Sequence, residues 1–349
     1  MKSLIIIPHK NTIDYFLLSG NAKKELYSSS INNFRNQSIK NCVASIFKCL
    51  KSPELFPDFI VLKVQYGGML FNQAELVNYD ILKRLKSLAA EAPLHIPPVI
   101  ELVTEFLKNR KSIPLVLVFE TAFFTKLPER EACYAISSAL TSKMHLRRFG
   151  FHGIFHQAAV EMSEHNGAKK LISICLEPRP EITAVIDGCP VLSTSGSTPL
   201  EGLPGEKSSG EIDPFIIIAL NKKLDYGPEQ INRILSENSG ISGLIGKNIT
   251  FPELFASKNP EIKRIKDFFQ YRVLLACGSC IAAMGGVDLI VFSGRYHSIG
   301  ENLQKFIRNK LFASKMTIAK FYICQDRLPV LLSDFAESII ISESVRKSR

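Results

Sequence analysis

The sequence predicts an α/β protein built as two domains, each around its own sheet. Short apolar, β-branched runs bounded by turn residues recur along it: SLIIIP, FIVLKVQY, IPLVLVFE, KKLISICLE and VDLIVFSG. Runs of this length and composition read as buried strands. Longer stretches with helical spacing separate them, and such alternation places helices on both faces of a sheet. At 349 residues and 46% hydrophobic, the chain is long enough to bury two cores.

The opening MKSLIIIPHKNTIDYF holds one Lys and a short apolar stretch that meets Pro8, His9, Lys10 and Asp14. It has no small-residue cleavage site, so it reads as a first strand and not a signal peptide. After the strand FIVLKVQY comes NYDILKRLKSLAAEA, where Ile81, Leu82, Leu85 and Leu88 share one helical face. Lys83, Lys86 and Ser87 fall opposite, with Arg84 at the boundary. EREACYAISSALTSKM and FFQYRVLLACGSCIAAM also read as helices. The natural break lies near His145–Arg148, after the helix that follows VFETAFF. Two similar halves would leave a cleft between them, the usual place for a ligand.

Composition narrows the function classes. No run of 18 apolar residues appears, so a membrane-spanning helix is not expected. The eight cysteines are scattered without a disulfide framework, which points to a reducing cytoplasm. Cys277 and Cys280 form a CxxC, but inside a helix and without a second ligand pair, so neither redox nor zinc chemistry is expected of them. The 43 Lys+Arg against 33 Asp+Glu give +10, a charge suited to a polyanionic partner or an anionic substrate. No groove-reading motif accompanies it, so nucleic acid is not expected as a partner. KNRK (108–111) reads as a solvated helix end.

Four segments go beyond such bulk reasoning: VFETAFFTKLPE (118–129), RRFGFHGIFH (147–156), STPLEGLPGEKSSGEIDP (197–214), and MGGVDLIVFSG followed by IGEN (284–302). In order and spacing they resemble the acetate and propionate kinases, which read VFDTAFHxTMP, RRYGFHGTSH, FTPLEGLMMGTRSGDIDP and GGVDAIVFTGGIGEN. LKVQYGG (62–68), APLHIPP (92–98) and SGISGLIG (239–246) are weaker collinear matches. The resemblance implies a fold of the sugar kinase, Hsp70 and actin type, with two related α/β domains and a cleft between them. The expected domains are 1–147, joined by 325–349, and 148–324, the second forming a homodimer. An active chain would use Mg²⁺ and ATP with a short-chain carboxylate as partner; an inactive one would need no cofactor.

Phosphoryl transfer to a carboxylate needs positioning and charge neutralisation more than covalent chemistry. By the resemblance, His152 of GFHG stabilises the transferring group, and His95 of APLHIPP belongs to the active site. The alternative reading of His152 is a histidine packed at a helix start. Gly300, Glu301 and Asn302 match the end of GIGEN and imply a loop and helix start that meets the nucleotide, although RYH (295–297) is inserted before them. Glu120 replaces the catalytic aspartate. Lys63 replaces the carboxylate-binding arginine, keeping the charge and losing the bidentate fork. Asp326 in CQDR is the metal-ligand candidate.

Other positions depart from the pattern. Ile7 and Asp14 stand where the family has Asn and Lys. The phosphate-binding turn HLGNG corresponds to Cys175, Leu176, Glu177, Pro178 and Arg179, followed by Pro180. Proline fixes φ and has no N–H to offer a phosphate, leaving Arg179 as the cation there. Ser208 replaces the transition-state arginine, with Lys207 as a displaced substitute. Thr250, Phe251 and Pro252 replace the DxR that meets the nucleoside. What remains is mostly scaffold, which predicts a degenerate member with weak or no activity. The alternative is a divergent acetate or propionate kinase.

Overall fold

The computed structural model describes residues 1–50, 52–93, 95–109, 112–312 and 319–348. The chain divides into two compact units, 1–125 with 327–349, and 126–326.

The first unit holds β1 (Lys2–Pro8), β2 (Thr12–Ser19), β3 (Lys24–Asn32), β4 (Phe59–Val64), β5 (Glu75–Leu76) and β6 (Leu115–Phe119). They form one sheet in the order β3-β2-β1-β4-β6-β5. β1 and β4 are parallel, as are β4 and β6, whereas β2 folds back antiparallel on β1 and β3 antiparallel on β2. Alternation along β1 assigns its faces. Leu4 and Ile6 join the core formed with the helices Ile39–Cys49, Tyr79–Ser87 and Ile96–Asn109. Ser3 points the other way, and its hydroxyl meets that of Ser333 at 2.7 Å on the helix Leu328–Ser348. Helices therefore cover both faces. Asn78 caps the second of these helices by accepting from the Ile81 N–H at 2.9 Å, and Ile81, Leu82 and Leu85 are buried as their spacing requires. Of KNRK, Arg110 and Lys111 lie outside the described residues.

The second unit holds β7 (Lys170–Cys175), β8 (Glu181–Ile186), β9 (Cys189–Ser193), β10 (Leu289–Ser293) and β11 (Lys320–Ile323), in the order β11-β10-β7-β8-β9. β8 folds back antiparallel on β7 and β9 antiparallel on β8, and β10 and β11 continue parallel to β7. This repeats the pattern of β3-β2-β1-β4-β6, so the two units are related by topology. Ile172, Ile174, Ile290 and Phe292 pack into a core with the 25-residue helix Pro260–Met284. That helix starts on Asn259, which caps it, followed by Pro260, and stops at Gly285 with φ +65°. The helix Gly153–His165 packs on β7 and β10, and its His156 bonds Ser173 of β7 and Thr183 of β8.

EREACYAISSALTSKM is not one helix. It folds as Glu129–Ala132 and Ser138–Met144, with Cys133 extended between them. The Tyr134 hydroxyl donates to Glu201 at 2.6 Å and accepts from the Ser197 N–H at 2.7 Å, and these tertiary bonds outweigh local helix propensity.

Candidate functional site

In the first unit, Lys63 lies near the end of β4 and Glu120 follows β6, the neighbouring parallel strand. Their parity turns both away from the helical core that takes Leu62, Val64 and Phe119. The Lys63 Nζ lies 3.0 Å from Glu120 Oε1, with both side chains almost enclosed. It also donates to Gln65 Oε1 at 3.2 Å. Glu120 Oε2 is buried and has no hydrogen-bond partner among the described residues. His95 and Lys63 line the same small cavity, about 30 Å³, together with His9, Arg35 and Gln65. Asp14, which replaces a lysine of the family pattern, bonds the His9 ring at 2.9 Å and accepts from the Ser30 hydroxyl at 2.6 Å. Of the residues singled out in the sequence, Lys63 and Glu120 thus form one buried ion pair, and His95 lines the small cavity beside Lys63.

In the second unit, His152 precedes the helix Gly153–His165, and its Nε2–H donates to the carbonyl of Arg179 at 2.9 Å. That bond ties GFHG to the turn 175–180. Arg179 is half-buried and turns its guanidinium to the carbonyl of Ser236 at 3.2 Å. Burial lowers its pKa from the usual arginine value. The turn is framed on three sides. Leu176 donates to the Ser293 carbonyl at 2.8 Å and accepts from the Tyr296 N–H at 3.0 Å, while the Pro178 carbonyl accepts from the Glu206 N–H at 2.8 Å. Gly294 sits at φ +87°, and a Cβ there would come within 2.7 Å of the Leu176 carbonyl oxygen, so only glycine fits.

Glu177 crosses to the inserted residues. Its Oε1 accepts from the Arg295 backbone N–H at 2.8 Å and its Oε2 from Arg295 Nε at 2.7 Å. Lys207 is exposed, and its carbonyl accepts from the Ser239 N–H at 2.9 Å. Thr250 forms a capping box with Glu253, Phe251 is fully buried, and the Phe251 N–H donates to Glu206 Oε1 at 3.0 Å. Tyr296 bonds the same Glu206 carboxylate, and burial pushes its hydroxyl up to about 12.

Gly300 opens the helix Gly300–Leu311, where a Cβ would come 2.9 Å from the Phe292 ring; Glu301 and Asn302 are exposed on its first turn. Asp326 follows β11 and accepts from the Cys324 thiol at 3.5 Å. No group of three His, Cys, Asp or Glu among the described residues is arranged to hold a metal ion. Mg²⁺ would have to take most of its oxygens from nucleotide phosphates, since it binds through one or two carboxylates in such sites. The residues of turn 175–180 do not fit that partner: Pro178 and Pro180 offer no N–H, and Glu177 presents a carboxylate.

Two features escaped the sequence reading. One is the pair Glu177–Arg295, whose signal was present as two departures from the pattern with opposite charge. The other is a buried polar cluster. Glu181, fully enclosed, accepts from the Phe151 N–H at 2.9 Å and the Ser193 hydroxyl at 2.9 Å. His156, equally enclosed, meets Ser173 Oγ at 2.7 Å and Thr183 Oγ1 at 3.2 Å. Burial raises the Glu181 pKa and lowers that of His156. Cys277 and Cys280 are buried, with burial pushing the Cys277 thiol up to about 12 and Cys280 above its usual value, so both stay protonated. A larger cavity of about 470 Å³ in this unit is lined by the ion pairs Arg148–Glu201 and Arg272–Glu211 and holds none of the candidate residues.

The profile of the acetokinase family matches residues 9–348. Acetate kinase of Sulfurimonas denitrificans is 33% identical over 297 residues, covering 83% of this chain and 74% of that protein. Acetate kinase of Thermoanaerobacterium thermosaccharolyticum is 34% identical over 263 residues, 73% of this chain and 66% of that one. Among solved structures, Porphyromonas gingivalis acetate kinase matches with a TM-score of 0.88 at 20% identity, over 97% of this chain and 99% of that one. A propionate kinase from Francisella tularensis matches with a TM-score of 0.83 at 25% identity, over 96% and 98%. The fold of these neighbours is of the sugar kinase, Hsp70 and actin type, and this chain shares it.

Proposed function

The chain belongs to the acetokinase family, and from that premise we propose that it is a degenerate member with weak or no transfer of a phosphoryl group from ATP to a carboxylate. The observation that carries this reading is the turn 175–180. Where the family holds phosphate on glycine N–H groups, this turn has Pro178, Pro180 and a Glu177 carboxylate paired with Arg295. Losing one oxyanion-type donor costs about 100- to 1000-fold in rate, and several are missing together. Ser208 in place of the transition-state arginine and Phe251 turned into the core add to the loss.

The test is hydroxamate trapping of acyl phosphate from Mg-ATP with acetate, propionate and butyrate. A Glu120→Gln, His152→Ala double variant controls for contaminating host kinase. Turnover of the native chain is expected not to exceed that of the control; turnover clearly above it would overturn the reading. A divergent carboxylate kinase is the second reading, favoured by the retained pair of Lys63 and Glu120 with its unpartnered buried Oε2. In that case Lys63 and His95 would hold the carboxylate, Glu120, His152 and Lys207 would serve the transfer, and Arg179, Gly300, Glu301, Asn302 and Asp326 would meet Mg-ATP.

The proposed assembly is a homodimer through the second unit. The helix Pro214–Leu224 buries none of its residues, and Phe215, Ile216, Ile217 and Ile218 are all exposed, Phe215 at 62%. A contiguous apolar patch of this kind marks a surface that is covered in the working state. Sedimentation equilibrium is expected to give a dimer at micromolar concentration. A Phe215→Glu, Ile218→Glu variant is expected to associate at least about 30-fold more weakly, because truncating central apolar anchors costs ~2 kcal/mol or more. A monomeric native chain would contradict this. No described helix is long and apolar enough to cross a membrane. Placement in a reducing cytoplasm is part of the same proposal, supported by cysteines that are all free.

A further inference from the structure

We infer that Glu177 is a built-in anion: its carboxylate fills an oxyanion site that Arg295 forms at the carboxyl ends of β7 and β10, and removing it opens that site to phosphate. The inference rests on the reading above that turn 175–180 no longer takes a nucleotide, and it names what occupies the place instead.

In open α/β sheets the ligand sits beyond the carboxyl ends of the strands. Glu177 follows β7 and Arg295 follows β10, two neighbouring parallel strands. The Glu177 side chain is only 11% exposed, so its carboxylate is held inside the turn and not in solvent. Each of its oxygens takes one N–H from Arg295, one from the backbone and one from Nε, at 2.8 and 2.7 Å. Two converging donors, one of them charged, are what a phosphate or sulfate oxygen pair would accept. The Arg295 side chain is 57% exposed, leaving the rest of the guanidinium facing water. The Ser293 carbonyl at the end of β10 receives the Leu176 N–H. The frame does not depend on Glu177: the backbone bonds of Leu176 with Ser293 and Tyr296, and the glycine at 294, hold it independently.

An anion on the same chain competes at an effective concentration of roughly millimolar or more, which excludes a weakly bound free oxyanion. Arg295 lies in the RYH insertion, and Glu177 stands in the former glycine turn. Two changes that each look like a loss therefore complete one another.

The experiment titrates inorganic phosphate, and separately Mg-ADP, into the native chain, Glu177→Ala, and Glu177→Ala with Arg295→Ala, following binding by calorimetry and melting temperature. Glu177→Ala is expected to bind phosphate at least 10-fold more tightly than the native chain, and the double variant to lose that gain. Mg-ADP binding no tighter than phosphate identifies a free-oxyanion site; clearly tighter binding identifies a site for a nucleotide's phosphate. Either supports the inference. No gain in a folded Glu177→Ala, or an equal gain in the double variant, overturns it. If Glu177→Ala does not fold, the isosteric Glu177→Gln carries the same test, with a smaller gain expected. Failure of the degenerate reading is separate: it would appear as hydroxamate formed by the native chain, whatever Glu177→Ala binds.

Discussion

Replacing Glu120 by alanine is expected to destabilise the first unit by about 3–5 kcal/mol, because it strands the Lys63 ammonium in a nearly closed site. Lys63 and Glu120 are paired at 3.0 Å with side chains 10% and 2% exposed, so water cannot take over the missing partner. Converted at about 2–4 °C per kcal/mol, the melting temperature should fall by roughly 10 °C. The double variant Lys63→Met, Glu120→Leu is expected to recover most of that loss, since an apolar pair of similar volume removes both desolvation penalties. Thermal unfolding of the two variants side by side checks it. A loss below about 1 kcal/mol in Glu120→Ala would mean that the pair is solvated like a surface bridge. Recovery by the double variant would also show that this pair is kept at a cost in stability, as expected of residues retained for a ligand.

Glu181→Ala is expected to cost a similar amount in the second unit, about 3 kcal/mol or more, by leaving the Phe151 N–H and Ser193 hydroxyl without their acceptor at roughly 1–3 kcal/mol each. Glu181→Gln keeps an acceptor oxygen and should cost little. The pH dependence separates Glu181 from its neighbour His156. Burial raises the folded pKa of Glu181 above its ordinary 4.5, so its contribution is present below that value and is lost as pH rises through the folded pKa. Glu181→Gln should therefore gain on the native chain as pH climbs from 4.5. Burial depresses His156 below its ordinary 6.5, so its contribution is full above 6.5 and is lost as pH falls toward the folded value. His156→Gln should flatten that acid-side loss. Melting curves across this range are the check; parallel profiles for all three proteins would contradict the assignment.

The buried parallel strands were legible because they are short, β-branched and apolar on both faces: β1, β4, β6, β7 and β10 all lie within runs read from the sequence. β3 was not, because its KELYSSSIN alternates exposed and half-buried residues, with serines where a core strand carries valine or isoleucine. β8 and β9 were missed as well. They form a hairpin turned by Asp187 and Gly188 that no run read from the sequence covers, although EITAVI of β8 is apolar and largely buried. The site was legible in part. Lys63 and Glu120 are far apart in sequence, and only the motifs around them suggested a meeting that the register of β4 on β6 then produces. Arg295 could be read as an insertion and Glu177 as a lost glycine, but their pairing depends on the adjacency of β7 and β10, which no local pattern encodes. His156 and Glu181 were hidden in the same way. A buried polar network is defined by partners on other strands, so each member looks ordinary in its own segment.

The most direct test of the account is calorimetric titration of Mg-ATP into the native chain. With prolines at 178 and 180 and Glu177 held on Arg295 in the phosphate turn, saturable binding tighter than about 1 mM is not expected, so the interaction should fall short of ~4 kcal/mol. Saturable binding in the micromolar range would contradict that account and make the retained Lys63–Glu120 pair part of a working kinase.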